Sequence, residues 1–121
     1  MLFRSVVVDD ADQGVTHVVR GADLLDSTAR QIHLQRLLAL PTPSYLHFPV
    51  VTNDAGQKLS KQTLAPAIGT TDACTMLRDA LCHLGQPLPD LVPATPSAWL
   101  LAATRRWNAD AIPKRRTLGN G

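Results

Sequence analysis

No apolar run in this 121-residue chain approaches the roughly 20 residues needed to cross a bilayer. The opening MLFRSVVVDD also lacks the basic, apolar, small-residue order of a secretory signal. The expectation is a soluble, cytoplasmic protein with no membrane partner. Cysteine is nearly absent: Cys74 and Cys82 are the only two, and without a signal peptide they read as reduced thiols rather than a disulfide framework. Glutamate is missing outright, since all 10 acidic residues are Asp, and against 12 Lys and Arg the net charge is only +2. So small an excess makes no general demand for nucleic acid or membrane, and any such partner must be met locally. The excess sits late in the chain, where Arg105, Arg106, Lys114, Arg115 and Arg116 cluster.

What is present is a 45% apolar, 18% charged chain of single-domain length, enough for one modest core. The β-branched runs Val6-Val7-Val8 and Thr16-His17-Val18-Val19 read as strands, with a turn at Asp12-Gln13-Gly14 between them. Thr28 and Gln31 stand at capping-box spacing, and Leu34, Leu37 and Leu38 follow at helical intervals, which predicts a helix over about 28–40. Pro41 and Pro43 close it. Tyr45 to Phe48 and Val50-Val51 predict strand, with Pro49 at an end or edge, and Asn53-Asp54-Ala55-Gly56 a turn. The polar stretch from Gln57 to Gln62 then reads as an exposed loop. The clearest helix begins near Thr71, where Ala73, Met76, Leu77, Ala80, Leu81 and Leu84 follow the 3.6-residue period, with Thr71 as its start and Gly85 as its end. Four prolines between Gln86 and Pro96 make a connector, and Thr95-Pro96 opens a last helix running to about Trp107.

Lys58-Leu59-Ser60-Lys61 is the stretch richest in chemistry. Two ammonium groups three residues apart, on a loop set up by a Gly turn, can compensate charge developing on a transferring phosphoryl group. By itself the tetrapeptide is a weak signal, because such sequences are common on solvated loops.

Its context is stronger. The order VVVDD, QGVTHVVRGADLLDSTARQIHLQRLLALP, YLHFPVV and GQKLSKQ closely resembles the glutamyl- and glutaminyl-tRNA synthetase group of class I synthetases, with residues 58–61 matching their KMSKS signature. Within that group the nearest likeness is to the shortened glutamyl-queuosine tRNA(Asp) synthetases, which lack an anticodon-binding domain. The likeness covers about residues 6–113.

The resemblance implies ATP-dependent activation of glutamate, with Mg2+, and transfer of the glutamate to the queuosine base of tRNA(Asp). It makes Lys58 and Lys61 catalytic and places Lys58, Ser60 and Lys61 on ATP. Arg20 would read the side-chain carboxylate of glutamate, a role suited to a guanidinium; the plainer alternative is a surface ion pair with Asp23 or Asp26. Asp9, Asp10 and Asp23 are candidates for tRNA or substrate contact, the first two equally well a strand-ending turn pair. The family's HIGH-type ATP motif has no counterpart here, and its pocket tyrosine would fall at Leu2, so the expectation is the carboxy-terminal half of such an enzyme. Such a half would be a truncated or frameshifted product, or one piece of a split protein, without stand-alone activity and with an amino-terminal half as a partner.

No zinc or other metal is expected in this chain. Cys74 and Cys82 are eight residues apart, no His pair has zinc-finger spacing, and both thiols read as buried or half-buried packing. His17, His33, His47 and His83 read as surface or strand packing. The basic tail reads equally as an RNA-phosphate contact or as a solvated helix end. The fold class expected is α/β: residues 1–63 as the second half of a Rossmann-like catalytic domain carrying the KMSKS-type loop, and 64–121 as a helical subdomain with the basic tail. The rival is a non-catalytic remnant or a small module binding RNA or a partner.

Overall fold

The computed structural model describes residues 2–60, 64 and 72–119, with side chains from Ser5 onward. Its elements are α1 (Leu2–Asp12), β1 (His17–Gly21), a 3-10 turn (Ala22–Leu24), α2 (Leu25–Leu37), β2 (Ser44–Phe48), β3 (Val50–Thr52), α3 (Ala73–His83), α4 (Pro96–Arg106), a second 3-10 turn (Ala109–Ala111) and β4 (Thr117–Gly119).

The first element corrects the sequence reading. Val6 to Val8 lie in α1, not in a strand, and Val7 is buried while Val8 is exposed. Strand propensity measures the fit of a side chain to a pleated, half-buried surface, and here packing of the segment against α2 overrides it. The Gly14 signal is real but ends a helix: Val15 N–H donates to Asp10 O and Gly14 N–H to Ala11 O, with Gly14 at φ 68°. Asp9 and Asp10 therefore sit near the end of a helix and are not a strand-ending turn pair.

β1 and β2 are parallel and joined through α2, with Arg20 opposite His47 and Val18 opposite Tyr45. Alternation puts those four side chains on one face. Arg20 bonds to Thr28 and Gln31, so that face meets α2. Val19, Leu46 and Phe48, on the other face, line a small apolar cavity of about 160 Å3 with Leu84, Trp107 and Ile112. β3 pairs in parallel with β4 at the far end of the chain, so Pro49 separates strands that belong to two different pairs.

α2 begins three residues before the expected start and presents a different stripe. Its buried residues are Thr28, Gln31 and Gln35, whereas Leu37 is 69% and Leu38 48% exposed. α3 follows the predicted period, with Asp72 as its cap: the Asp72 carboxylate accepts from Thr75 N–H, while Thr71 lies outside the described residues. α4 starts as expected, capped by Thr95 with Pro96 in the first turn, and packs on α3.

α2 and α3 end with the same pair of backbone bonds, Leu40 to Gln35 and Ala39 to Arg36 in one, Gln86 to Leu81 and Gly85 to Cys82 in the other. The pivot is Gly85 at φ 64° after α3 but Ala39 at φ 54° after α2. A left-handed alanine costs about 1 kcal/mol, so Ala39→Gly is expected to raise stability by about that amount. Gly85→Ala has the opposite sign and a larger size, because its Cβ would run into the Ala111 carbonyl oxygen; a loss of about 2–4 kcal/mol is expected. Urea midpoints of the two variants against the parent check both signs.

Candidate functional site

Arg20, near the carboxyl end of β1, reaches α2. Its Nη2 donates to Thr28 Oγ1 at 2.8 Å and to Gln31 Oε1 at 2.6 Å, its Nε faces His47 Nε2 at 3.5 Å, and its guanidinium lies 5.3 Å from the centre of the Tyr45 ring. Tyr45 and His47 stack, with ring centres 6.1 Å apart. The alternative of an ion pair to Asp23 or Asp26 is not what forms. Asp23 is taken by Lys58 Nζ at 2.6 Å, and Asp26 by both Nη1 and Nη2 of Arg116 at 2.9 and 2.7 Å.

Arg20 Nε donates toward His47 Nε2, a contact that suits a ring whose Nε2 carries no proton. Thr28 Oγ1, which accepts from Arg20 and reaches Leu24 O at 3.4 Å, stands 2.9 Å from the same nitrogen. Burial, and then the Arg20 charge, hold His47 below its ordinary 6.5. The sign follows from proton counting: between the two values the unfolded chain binds more protons than the folded one. Stability from this source is complete above pH 6.5 and lost as pH falls through the lowered folded value. Melting temperature is therefore expected to drop between pH 8 and pH 5.5, and the drop to shrink in His47→Gln. Asp26 and Asp90, each held below the usual 3.8 by a hydrogen-bonded arginine, titrate outside this window.

Lys58 approaches the same strand end from β3. The turn at Asn53 to Gly56 closes through Gly56 N–H on Asn53 O, Lys58 forms a bridge with Thr52, and Leu59 N–H donates to Val51 O. Gln57 and Lys58 face solvent, as expected, whereas Leu59 is half-buried and the segment is tied to β3. Its ion pair with Asp23 is open to water, the two side chains being 50% and 34% exposed. Gly21, Asp23, Leu24, Phe48, Val50 and Lys58 are among the residues lining a cleft of about 390 Å3 there. Ser60 is half-buried, and Lys61 lies outside the described residues.

The remaining candidates fall elsewhere. Among the described residues no bond joins the Asp9 or Asp10 side chain to Arg20 or Lys58, and no three His, Cys or Asp side chains cluster as metal ligands. Cys82 is exposed, contrary to the packing role expected of it, and Cys74 is half-buried. In the basic tail, Arg106 is committed to Asp90 and Arg116 to Asp26. Among the described residues no helix is long and apolar enough to cross a membrane. Thr28, Gln31, Tyr45 and His47 escaped the sequence reading as partners of Arg20. Their signal was available in the alternation of Tyr45 and His47 on one strand face, but it needs the β1–β2 register to be read.

The profile of the class I tRNA synthetases (E and Q), catalytic domain, matches residues 4–85. The chain belongs to this family. Among relatives of this synthetase family, the glutamyl-Q tRNA(Asp) synthetase of Thiobacillus denitrificans is 54% identical over 110 residues, covering 90% of this chain and 36% of the relative. Those of Cupriavidus metallidurans and Burkholderia cenocepacia are 57% and 59% identical over 85% of this chain, covering 32% and 35% of the relatives. The chain thus spans about a third of the length of the curated synthetases it matches.

Proposed function

We propose that the chain supplies one side of the active site of a glutamyl-Q tRNA(Asp) synthetase: the arginine that reads glutamate and the signature lysines that act on ATP. The observation that supports this reading is the placing of two cations at the carboxyl end of β1: Arg20, one residue before that end and with no carboxylate partner among the described residues, and Lys58, paired with Asp23 two residues past it. Ligands of open parallel α/β sheets bind beyond that end. On this view residues 1–63 are the second half of a Rossmann-like catalytic domain and 64–121 a helical subdomain, with β4 returning to pair with β3.

Glutamate would place its side-chain carboxylate at Arg20 and direct its α-carboxylate at the α-phosphorus of ATP. The new oxygen–phosphorus bond forms as the bond to the β-phosphate bridging oxygen breaks, giving glutamyl-adenylate and pyrophosphate. The cleft beside Lys58 has an apolar floor of Leu24, Phe48, Val50 and Leu59, which suits a nucleoside. Lys58, Ser60 and Lys61 would hold the phosphates, and an exposed pair such as Lys58–Asp23 stabilises by about 1 kcal/mol or less, so a phosphate displaces the aspartate at small cost. Mg2+ fits as an ion carried by the phosphates of ATP, which it would neutralise. The glutamyl group would then pass from the adenylate to the queuosine base of tRNA(Asp), the acyl–phosphate bond breaking as the new acyl bond forms and AMP leaves.

Because activation in this family grips ATP from two sides and the chain spans about a third of its relatives' length, it is expected to act together with a segment that supplies the other side. Its apolar surface supports that: α3 and α4 flank a groove of about 520 Å3 lined by Leu77, Leu81, Trp99, Leu100 and Trp107, and exposed apolar area of that kind marks interaction sites. The test is glutamate-dependent pyrophosphate exchange by the chain alone and mixed with the separately expressed amino-terminal portion of the Thiobacillus denitrificans relative. No exchange alone and exchange on mixing is expected. Exchange by the chain alone at the rate of the complete relative would overturn the need for a partner, and none on mixing would favour the non-catalytic module.

A further inference from the structure

Thr28, Gln31 and Gln35 occupy the buried stripe of α2, with 8%, 5% and 2% of their surface exposed. Their spacing of three and four residues is that of a helix core face, where a crossover between parallel strands normally buries Leu, Ile or Val. Three polar side chains in such a place need partners, since an unsatisfied buried group is costly. Two of the three bond Arg20 and the third bonds a neighbour of it, while Gln35 Oε1 has no partner among the described residues. Thr28 and Gln31 each accept a hydrogen from Arg20 Nη2, and Gln35 Nε2 donates at 2.9 Å to the hydroxyl of Tyr45, whose ring faces the same guanidinium.

Two properties of this arrangement go together. Nη2 has two hydrogens and both are taken, while Nε faces His47, so the guanidinium cannot turn; no described residue takes Nη1. Moreover, every group around the cation is neutral: a hydroxyl, an amide, an imidazole and a phenol. The nearby carboxylates are held by other cations, Asp23 by Lys58 and Asp26 by Arg116. The helix therefore orients Arg20 without cancelling its charge.

We propose that Gln31 and Thr28 are positioning residues that aim Nη1 of Arg20 at a ligand carboxylate, and that the amide at position 31 is required because a carboxylate there would occupy the arginine itself. The proposal rests on Arg20 as the glutamate-reading residue. It explains why positions 28 and 31 of the buried stripe are polar, and it makes the neutrality of position 31 a determinant of anion binding.

The decisive variant is Gln31→Glu, tested in the chain joined to the amino-terminal portion of the Thiobacillus denitrificans relative. An internal ion pair to Arg20 is expected to raise the melting temperature by a few degrees. At the same time it should raise the KM for glutamate about thirtyfold or more, with kcat in pyrophosphate exchange changed less than about threefold. A residue with only a structural role would not move stability and binding in opposite directions. Gln31→Met is expected to raise the KM about tenfold, and Thr28→Ser, which keeps the hydroxyl, to leave it near the parent value.

A Gln31→Glu protein with unchanged KM overturns the proposal provided that Arg20→Ala raises the KM. If Arg20→Ala also leaves the KM unchanged, it is the glutamate-reading role of Arg20 that fails. A second measurement needs no catalysis: in the chain alone, nitrogen-15 NMR is expected to show separate, slowly rotating Arg20 Nη signals that merge in Gln31→Met. Free rotation in the parent chain would overturn the positioning role whatever the assay gives.

Discussion

Arg20→Ala, in the chain joined to a relative's amino-terminal portion, is expected to lower kcat/KM for glutamate by about 10²–10³. Most of the change should fall in KM, because a guanidinium that reads the side-chain carboxylate would contact it equally in the ground and transition states. Arg20→Lys separates charge from shape. A lysine keeps the cation but cannot give two fixed hydrogens to Thr28 and Gln31 while presenting another nitrogen to the ligand, so it should recover about a tenth of the loss or less. Initial-rate pyrophosphate exchange at varied glutamate checks both. A lysine variant with full activity would mean that position 20 acts through charge alone.

Lys61→Ala should act on the other kinetic constant. If Lys61 meets charge that develops on the phosphates only as adenylate forms, its loss lowers kcat of exchange by about 10²-fold and changes the KM for ATP much less. Lys58→Ala is expected to be milder, since Lys58 in the unliganded chain already has a resting partner in Asp23 and part of its binding energy is spent leaving it. Exchange at varied ATP distinguishes the two. Equal effects on KM for both lysines would place them in ground-state binding.

The local structure around Arg20 and Lys58 was legible in the sequence. The lysine motif followed a turn signal that Asn53 and Gly56 do form, and Arg20 ended a β-branched run that is indeed a strand. The misreadings share a physical cause, which is that local propensity cannot see what packs on an element. Val6 to Val8 score as strand, yet the residues that follow, Asp9 to Gly14, serve a helix end as well as a hairpin. Leu34, Leu37 and Leu38 mark a helix correctly but not its buried face, because the face is set by where Arg20 emerges from β1, on an element eight or more residues away. The Arg20 partners lie at sequence separations of 8, 11 and 27 residues, and no motif spacing encodes such a register.

The return of β4 to β3 has a consequence for synthesis. Thr52 Oγ1 bonds to Leu118 O across 66 residues, and Arg116 reaches Asp26 across 90, so β3 and α2 are each held by a segment synthesised long after them. Loop closure over such distances is entropically slow. As the chain is made, β1, α2 and β2 can therefore associate locally, whereas β3 keeps one edge open until β4 has followed it.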